Sequence, residues 1–145
     1  MFKYKLNCAE AKKPEKKRAS DAGYDLHLVR LLKIENGIYY YDTGVSIQLP
    51  DGFYGLLVGR SSIAKSGYML ANGIGVIDNE YRGSIIVALT KLRQDAPVLE
   101  LPAKLVQYIP VKQYFMAMPY EVAELDSTDR QDMGGLGSRQ FGTSS

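Results

Sequence analysis

Asp78 is the carboxylate around which a chemical reading of this chain can be built. It lies in Gly73-Ile74-Gly75-Val76-Ile77-Asp78-Asn79-Glu80-Tyr81-Arg82-Gly83, with two glycines at one end and a third closing the other. An ionised carboxylate can take a proton from a water molecule and so serve as a general base. An aromatic ring three residues further on, Tyr81, offers a flat apolar face beside it. The segment reads as one strand, a tight hairpin corner and the start of a second strand over 84–89. Two uses fit it: a plain polar turn, for which Asp, Asn and Gly are ordinary residues, and the wall of a pocket. Taken alone, the stretch favours the turn.

Three other segments bear on anion chemistry. Gly59-Arg60-Ser61-Ser62-Ile63-Ala64-Lys65-Ser66-Gly67 places an arginine and two hydroxyls at the start of the one predicted helix, 61–66. Ser61 or Ser62 would cap it and Gly67 would stop it. Helix N-termini attract anions, although a simple serine cap is the commoner use. The Gly- and Ser-rich end of the chain, 133–145, carries Arg139 and follows Arg130. Glycines let backbone N–H groups approach an anion, but a frayed terminus is the plainer reading, and no Gly-Lys-Ser/Thr of a nucleotide P-loop is present. Lys12, Lys13, Lys16, Lys17 and Arg18 crowd around Pro14. Without interleaved aromatics they read as a solvated loop, and a net charge of +2 argues against a nucleic-acid partner. The lone histidine, His27, has no evident Ser or Cys partner and reads as a strand residue, and so few His and Cys argue against zinc.

The elements that must hold these residues are short and mostly β. Alternation or apolar runs mark strands over 1–7, 24–29, 38–41, 45–49, 53–58, 68–70, 84–89, 98–101, 104–109 and 113–116. Asn36-Gly37 is a hairpin turn between two apolar runs. About ten strands with turn signals every eight to twelve residues predict a sandwich, jelly roll or closed barrel. At 145 residues the chain is expected to form one main domain, 1–118. Acidic residues and then Gly and Ser dominate 119–145, which cannot bury enough apolar surface to order by itself and reads as a flexible arm. One cysteine, Cys8, excludes an internal disulfide and fits a reducing compartment. No apolar run reaches membrane-spanning length and no apolar signal segment opens the chain, so a soluble, intracellular protein with no membrane partner is expected.

Five motifs in order resemble those of the trimeric dUTP pyrophosphatase (dUTPase) family. They are Ala22-Gly23-Tyr24-Asp25-Leu26; Gly59 to Gly67 as quoted above; Gly75-Val76-Ile77-Asp78-Asn79-Glu80-Tyr81-Arg82-Gly83; Lys104-Leu105-Val106-Gln107-Tyr108-Ile109; and Arg130 followed by Gly134-Gly135-Leu136-Gly137-Ser138. The third is the most specific, and together they cover nearly the whole chain. The resemblance implies an all-β, distorted jelly-roll barrel with one short helix, assembled as a homotrimer whose active sites are shared between subunits. It implies cleavage of dUTP to dUMP and diphosphate with Mg²⁺ on the triphosphate, limiting uracil in DNA and supplying dUMP. Asp78 matches the carboxylate that activates the attacking water. Tyr81 matches the ring packed on the deoxyribose. Asn72, with the backbone of Gly75 and Ile77, falls where the uracil is read. Arg60, Ser61, Ser62, Gln107 and Arg130 fall where phosphates are gripped, and Asp25 where metal-bound water is held. Leu136, Gly137 and Ser138 fall in a lid, and the arm 119–145 would order over a neighbouring subunit's site.

The chain also departs from the family pattern. Gly59-Arg60-Ser61-Ser62 replaces Pro-Arg-Ser-Gly, Pro102-Ala103-Lys104 replaces Gly-Asp-Arg, and one residue is inserted after Arg130. Leu136 stands where a Phe stacks on uracil, and Phe141 followed by Gly142 and Thr143 offers a ring in a shifted register. Arg-Ser-Ser is also the form found in the related dCTP deaminases. Those enzymes need a glutamate five residues after the closing glycine of the third motif, and here that position is Ala88. Deamination is therefore disfavoured, and a dUTP-binding regulator with weak turnover is the other alternative.

Overall fold

The computed structural model describes residues 1–114 and 118–130. Leu136, Gly137, Ser138 and the alternative Phe141 lie outside the described residues, as does the end of the strand expected over 113–116. The chain divides into two units, Met1–Phe115 and Met116–Ser145.

The first unit is a distorted jelly-roll barrel. Its strands are β1 (Lys3–Leu6), β2 (Tyr24–Leu28), β3 (Arg30–Glu35), β4 (Ile38–Asp42), β5 (Val45–Gln48), β6 (Phe53–Gly59), β7 (Tyr68–Leu70), β8 (Gly75–Ile77), β9 (Ile86–Lys91) and β10 (Ala103–Lys112). The one helix among the described residues is a single turn, α1 (Ile63–Ser66). One four-stranded sheet runs β2-β10-β6-β8 and another runs β3-β4-β9-β7, with β1 and β5 forming a ribbon. Burial alternates along β2, β5, β6 and β9, as a strand with one face on a core requires. Leu26, Val106 and Tyr108 from the first sheet meet Val87, Leu89 and Tyr68 from the second, and Val45 from the ribbon, in a single core. The hairpin at Asn36-Gly37 is present, with Glu35 opposite Ile38. Both turn residues have positive φ, 52° and 77°, as a two-residue hairpin turn demands.

Three expectations are corrected. The segment around Asp78 is not a hairpin, because β8 pairs with β6 whereas β9 pairs with β4 and β7. Residues 78–85 intervene between the two strands, far more than a two-residue turn needs, and they carry the chain from one sheet to the other. Residues 98–101 form no strand: they are connecting chain before β10, and Val98 is 89% exposed. Gln113 and Tyr114 likewise fall beyond the end of β10.

In the second unit, residues 118–130 contain neither helix nor strand. The Arg130 N–H donates to Thr128 Oγ1 at 3.2 Å.

Candidate active site

The corner 78–83 is held by its own side chains. Asn79 Nδ2 donates to the carbonyls of Pro50 and Phe53, both at 2.9 Å, tying the corner to the turn before β6. The Tyr81 N–H donates to the Asp78 carbonyl at 3.1 Å. Arg82, unplaced by sequence, donates from Nη1 to the carbonyls of Asn79 at 2.5 Å and Tyr81 at 3.3 Å, closing the turn from outside. The Tyr81 hydroxyl donates to the Ser84 carbonyl at 2.7 Å. The ring therefore lies over Gly83, where an added Cβ would come within 2.6 Å of the tyrosine oxygen. Only glycine leaves the ring that position.

Beneath this corner sits a residue that the sequence did not single out, Asp42. Its carboxylate accepts hydrogen bonds from the Ser84 hydroxyl, from the Gly44 N–H at 2.8 Å and from Arg30 Nη2 at 2.8 Å. Burial pushes the Asp42 pKa up, but these bonds outweigh it and hold the carboxyl below its ordinary value. Ser84 is thus fixed from below while its carbonyl fixes Tyr81.

Asp78, Asn72, Gly75, Ile77 and Tyr81 come together around one cleft of about 270 Å³. Val76 and four residues not predicted for the site, Leu57, Ile85, Ile86 and Ala88, complete its wall. The Asn72 amide lies beside the Gly75 backbone, 3.5 Å from where a Cβ on that glycine would sit.

Asp25, Arg60, Ser61 and Gln107 come together elsewhere, around a cleft of about 570 Å³. Strand register builds it: Asp25 on β2 faces Gln107 on β10, and Gln107 faces Val58 on β6. Arg60 follows β6, and its N–H donates to the Leu105 carbonyl at 2.8 Å. Its Nε pairs with Asp25 Oδ1 at 2.8 Å. Its Nη1 donates to the Lys104 carbonyl at 2.9 Å and to Ser62 Oγ at 3.2 Å. Gln107 Nε2 donates to the Gly59 carbonyl at 3.3 Å, and its side chain crosses so close to Gly23 that a Cβ there would overlap it.

The serine cap expected for α1 is not made. Ser62 takes the N-cap place with helical φ and ψ of −68° and −16°, and its hydroxyl is engaged by Arg60 instead. Gly67 ends the helix in the left-handed region, φ 87°, as expected. His27 is a strand residue, as read from the sequence. Its Nδ1 is buried without a hydrogen-bond partner among the described residues, and burial, then Lys104, lowers its pKa.

No residue lines both clefts. From Asp25 through Gln107 and Val58 to β8 is three strand spacings, about 14 Å, and Asp78 lies past the end of β8. Arg130 belongs to the second unit. Among the described residues, no group of three His, Cys, Asp or Glu side chains is arranged to hold a metal directly, and no helix is long and apolar enough to cross a membrane.

The jelly-roll barrel is a fold that solved relatives share. A Staphylococcus bacteriophage 80alpha dUTPase bound to dUpNHpp superposes with a TM-score of 0.77 at 21% identity, covering 95% of this chain and 97% of that one. The dUTPase of phage phi11 of S. aureus gives 0.71 at 20% identity, covering 88% and 99%. At such identity these show the fold. The family follows from sequence. The dUTPase family model matches residues 9–139, and the chain belongs to the dUTPase family. Deoxyuridine 5'-triphosphate nucleotidohydrolases similar to it include that of Escherichia phage T5, 40% identical over 97 residues that span 67% of this chain and 65% of the phage protein. That of Desulfitobacterium hafniense is 39% identical over 134 residues, 88% of this chain and 86% of its own. That of Corynebacterium glutamicum is 34% identical over 123 residues, 83% of each.

Proposed function

We propose that the chain hydrolyses dUTP to dUMP and diphosphate, limiting uracil in DNA and supplying dUMP, with Asp78 activating the attacking water. The observation that carries this reading is the meeting of Asp78, Asn72, Gly75 and Tyr81 around one cleft. In that cleft Asp78 accepts the proton of a water aimed at the α-phosphorus. Asn72 and the backbone of Gly75 to Ile77 read the uracil edge: cytosine reverses a donor and an acceptor, and the thymine methyl is crowded out. Tyr81, held at both its N–H and its hydroxyl, presses on the deoxyribose and leaves no room for a 2′-hydroxyl.

Arg60, Ser61, Ser62 and Gln107, with Arg130, grip the phosphates, and Leu136, Gly137 and Ser138 cover the base. The donor set of the second cleft suits Mg²⁺: its acids, Glu15, Asp21 and Asp25, are hard oxygen donors, too dispersed to ligate an ion directly. Asp25 would hold it through water, with the phosphates as direct ligands. When bound, the ion neutralises phosphate charge and fixes the chain of phosphates in one geometry.

Distance supports the reading of a homotrimer with shared sites. Water activated by Asp78 and a metal held through Asp25 must act on the same triphosphate. Within one chain the two carboxylates belong to clefts separated by about three strand spacings, a separation that favours the Asp78 cleft of one copy working with the Asp25 cleft of another. The arm 119–145 would then be ordered over a neighbour's site.

The test is a product assay with Mg²⁺. Diphosphate release from dUTP, with UTP, dCTP and dTTP scarcely turned over, is expected. Binding without release would favour a regulator. Ammonia from dCTP would favour a deaminase, although Ala88 puts a methyl group in the Asp78 cleft where that chemistry needs an acid. Truncation after Asp129 is expected to remove most of the rate without changing the assembly, and an undiminished rate would refute the lid.

A further inference from the structure

The basic segment read as a solvated loop is, in part, a wall of the second cleft. Lys16 and Lys17 line it together with Arg60 and Lys104. The segment is tied down. Glu15 and Asp25 form a β-bridge, with N–H to carbonyl bonds of 3.3 Å and 2.6 Å. Lys16 Nζ donates to the carbonyls of Asp21 at 2.8 Å and Ala19 at 3.4 Å, and lies 4.4 Å from the centroid of the Tyr24 ring. The Arg18 N–H donates to Asp21 Oδ2 at 3.0 Å, and the Asp21 N–H returns to the Arg18 carbonyl at 3.0 Å. Lys16 thus closes the loop on itself, with its charge committed to that role.

Lys17 differs. It is exposed at the cleft wall, and among the described residues its ammonium has neither a hydrogen bond nor an ion pair. The cleft's arginine is already paired with Asp25. A triphosphate, a polyanion, therefore meets a grip whose arginine is already paired with a carboxylate. An ammonium on a flexible four-carbon stem is suited to meet phosphate oxygens as a point charge.

We propose that Lys17 is a phosphate-binding residue of this site, carried on a loop that the Glu15–Asp25 bridge ties to β2 and that Lys16 closes on itself. The inference rests on the reading of this cleft as the phosphate grip. It goes beyond the motif residues, because Lys17 lies five residues before the first motif.

Calorimetric titration of the full chain with inorganic triphosphate tests it without requiring turnover. Lys17→Gln is expected to weaken binding about fivefold to tenfold, the scale of one charge-assisted contact. Lys17→Arg should restore it. Lys13→Gln, which removes the same charge from the same segment outside the cleft, should leave it unchanged. With dUTP, Lys17→Gln should raise KM with kcat little altered, and its melting temperature should match the wild type because Lys17 holds nothing. Equal effects from Lys17→Gln and Lys13→Gln, or no effect from either, would overturn the assignment, as would failure of the wild type to bind inorganic triphosphate. If the wild type binds inorganic triphosphate in a Lys17-dependent way yet releases no diphosphate from dUTP, the hydrolase reading fails and the Lys17 assignment stands.

Discussion

The cleft around Asp78 is made almost entirely from one continuous piece of chain, residues 72–88, with only Leu57 added from β6. The cleft around Asp25 gathers β2, β10, the end of β6 and the N-terminal loop. The first mixes apolar wall with one carboxylate, one amide and one ring. The second is dominated by charge, with an arginine, three lysines and three acids on its wall. The first is therefore suited to discriminate a base and a sugar by shape and hydrogen bonding. The second is suited to hold a polyanion, whose recognition depends on placed charge. In this account selectivity and water activation belong to the first, and phosphate and metal to the second, and neither is a complete site without the other.

That division sets the predictions. Asp78→Asn keeps the cleft's shape but removes the proton acceptor, so kcat should fall about 10³-fold, while a non-hydrolysable dUTP analogue binds nearly as before. A comparable loss of analogue binding would show that Asp78 holds substrate rather than water. Arg60→Ala strips the second cleft of its arginine and leaves Asp25 without the 2.8 Å partner. Its kcat/KM should fall about 100-fold, and dUMP affinity should change far less. If dUMP and dUTP weaken equally, the two clefts do not divide base from phosphates. Tyr81→Ala should lower the preference for dUTP over UTP by about tenfold or more, read from the ratio of the two kcat/KM values. An unchanged ratio would take sugar selection away from the first cleft.

The smallest expected effect concerns the support beneath Tyr81. Asp42→Asn should cost about 1–3 kcal/mol in urea unfolding at pH 7, because Ser84 and Arg30 lose a charged partner. The folded Asp42 pKa lies below its ordinary value of 3.8. Its contribution is therefore fully present above that value and is lost as pH falls through the folded pKa. The gap between wild type and Asp42→Asn should close below about pH 3.8 and not above it. A gap that persists at lower pH would mean that the ionised form is not what stabilises the corner.

The two clefts were unequally legible in the sequence. Asp78 and Tyr81 stand close enough in sequence to suggest a pocket, although spacing alone favoured a turn and only the family motifs gave them, and Asn72, their roles. Asp25, Arg60 and Gln107 are brought together only by ladder register, which periodicity does not specify, and it was the order of family motifs that named them. What the sequence hid was connectivity. A glycine-flanked corner reads as a hairpin, but β8 is three residues long and finds its partner in β6, so the corner became a crossing between sheets. Asp42 was invisible because it is distant in sequence from Ser84 and Tyr81. The lysine run looked solvated because nothing local shows that Glu15 bridges to Asp25 and turns Lys17 toward the second cleft's wall.

The central claim, that one working site takes Asp78 from one copy and Arg60 from another, can be tested by mixing. Asp78→Asn and Arg60→Ala chains, each strongly impaired alone, are unfolded together in equal amounts and refolded. With sites shared around a symmetric ring, a site is intact whenever an Arg60→Ala copy supplies Asp78 to an Asp78→Asn copy that supplies Arg60. Random mixing then returns about a quarter of the wild-type rate of diphosphate release. No activity above that of the separate variants would contradict the account, because it would place both clefts of each working site in one chain.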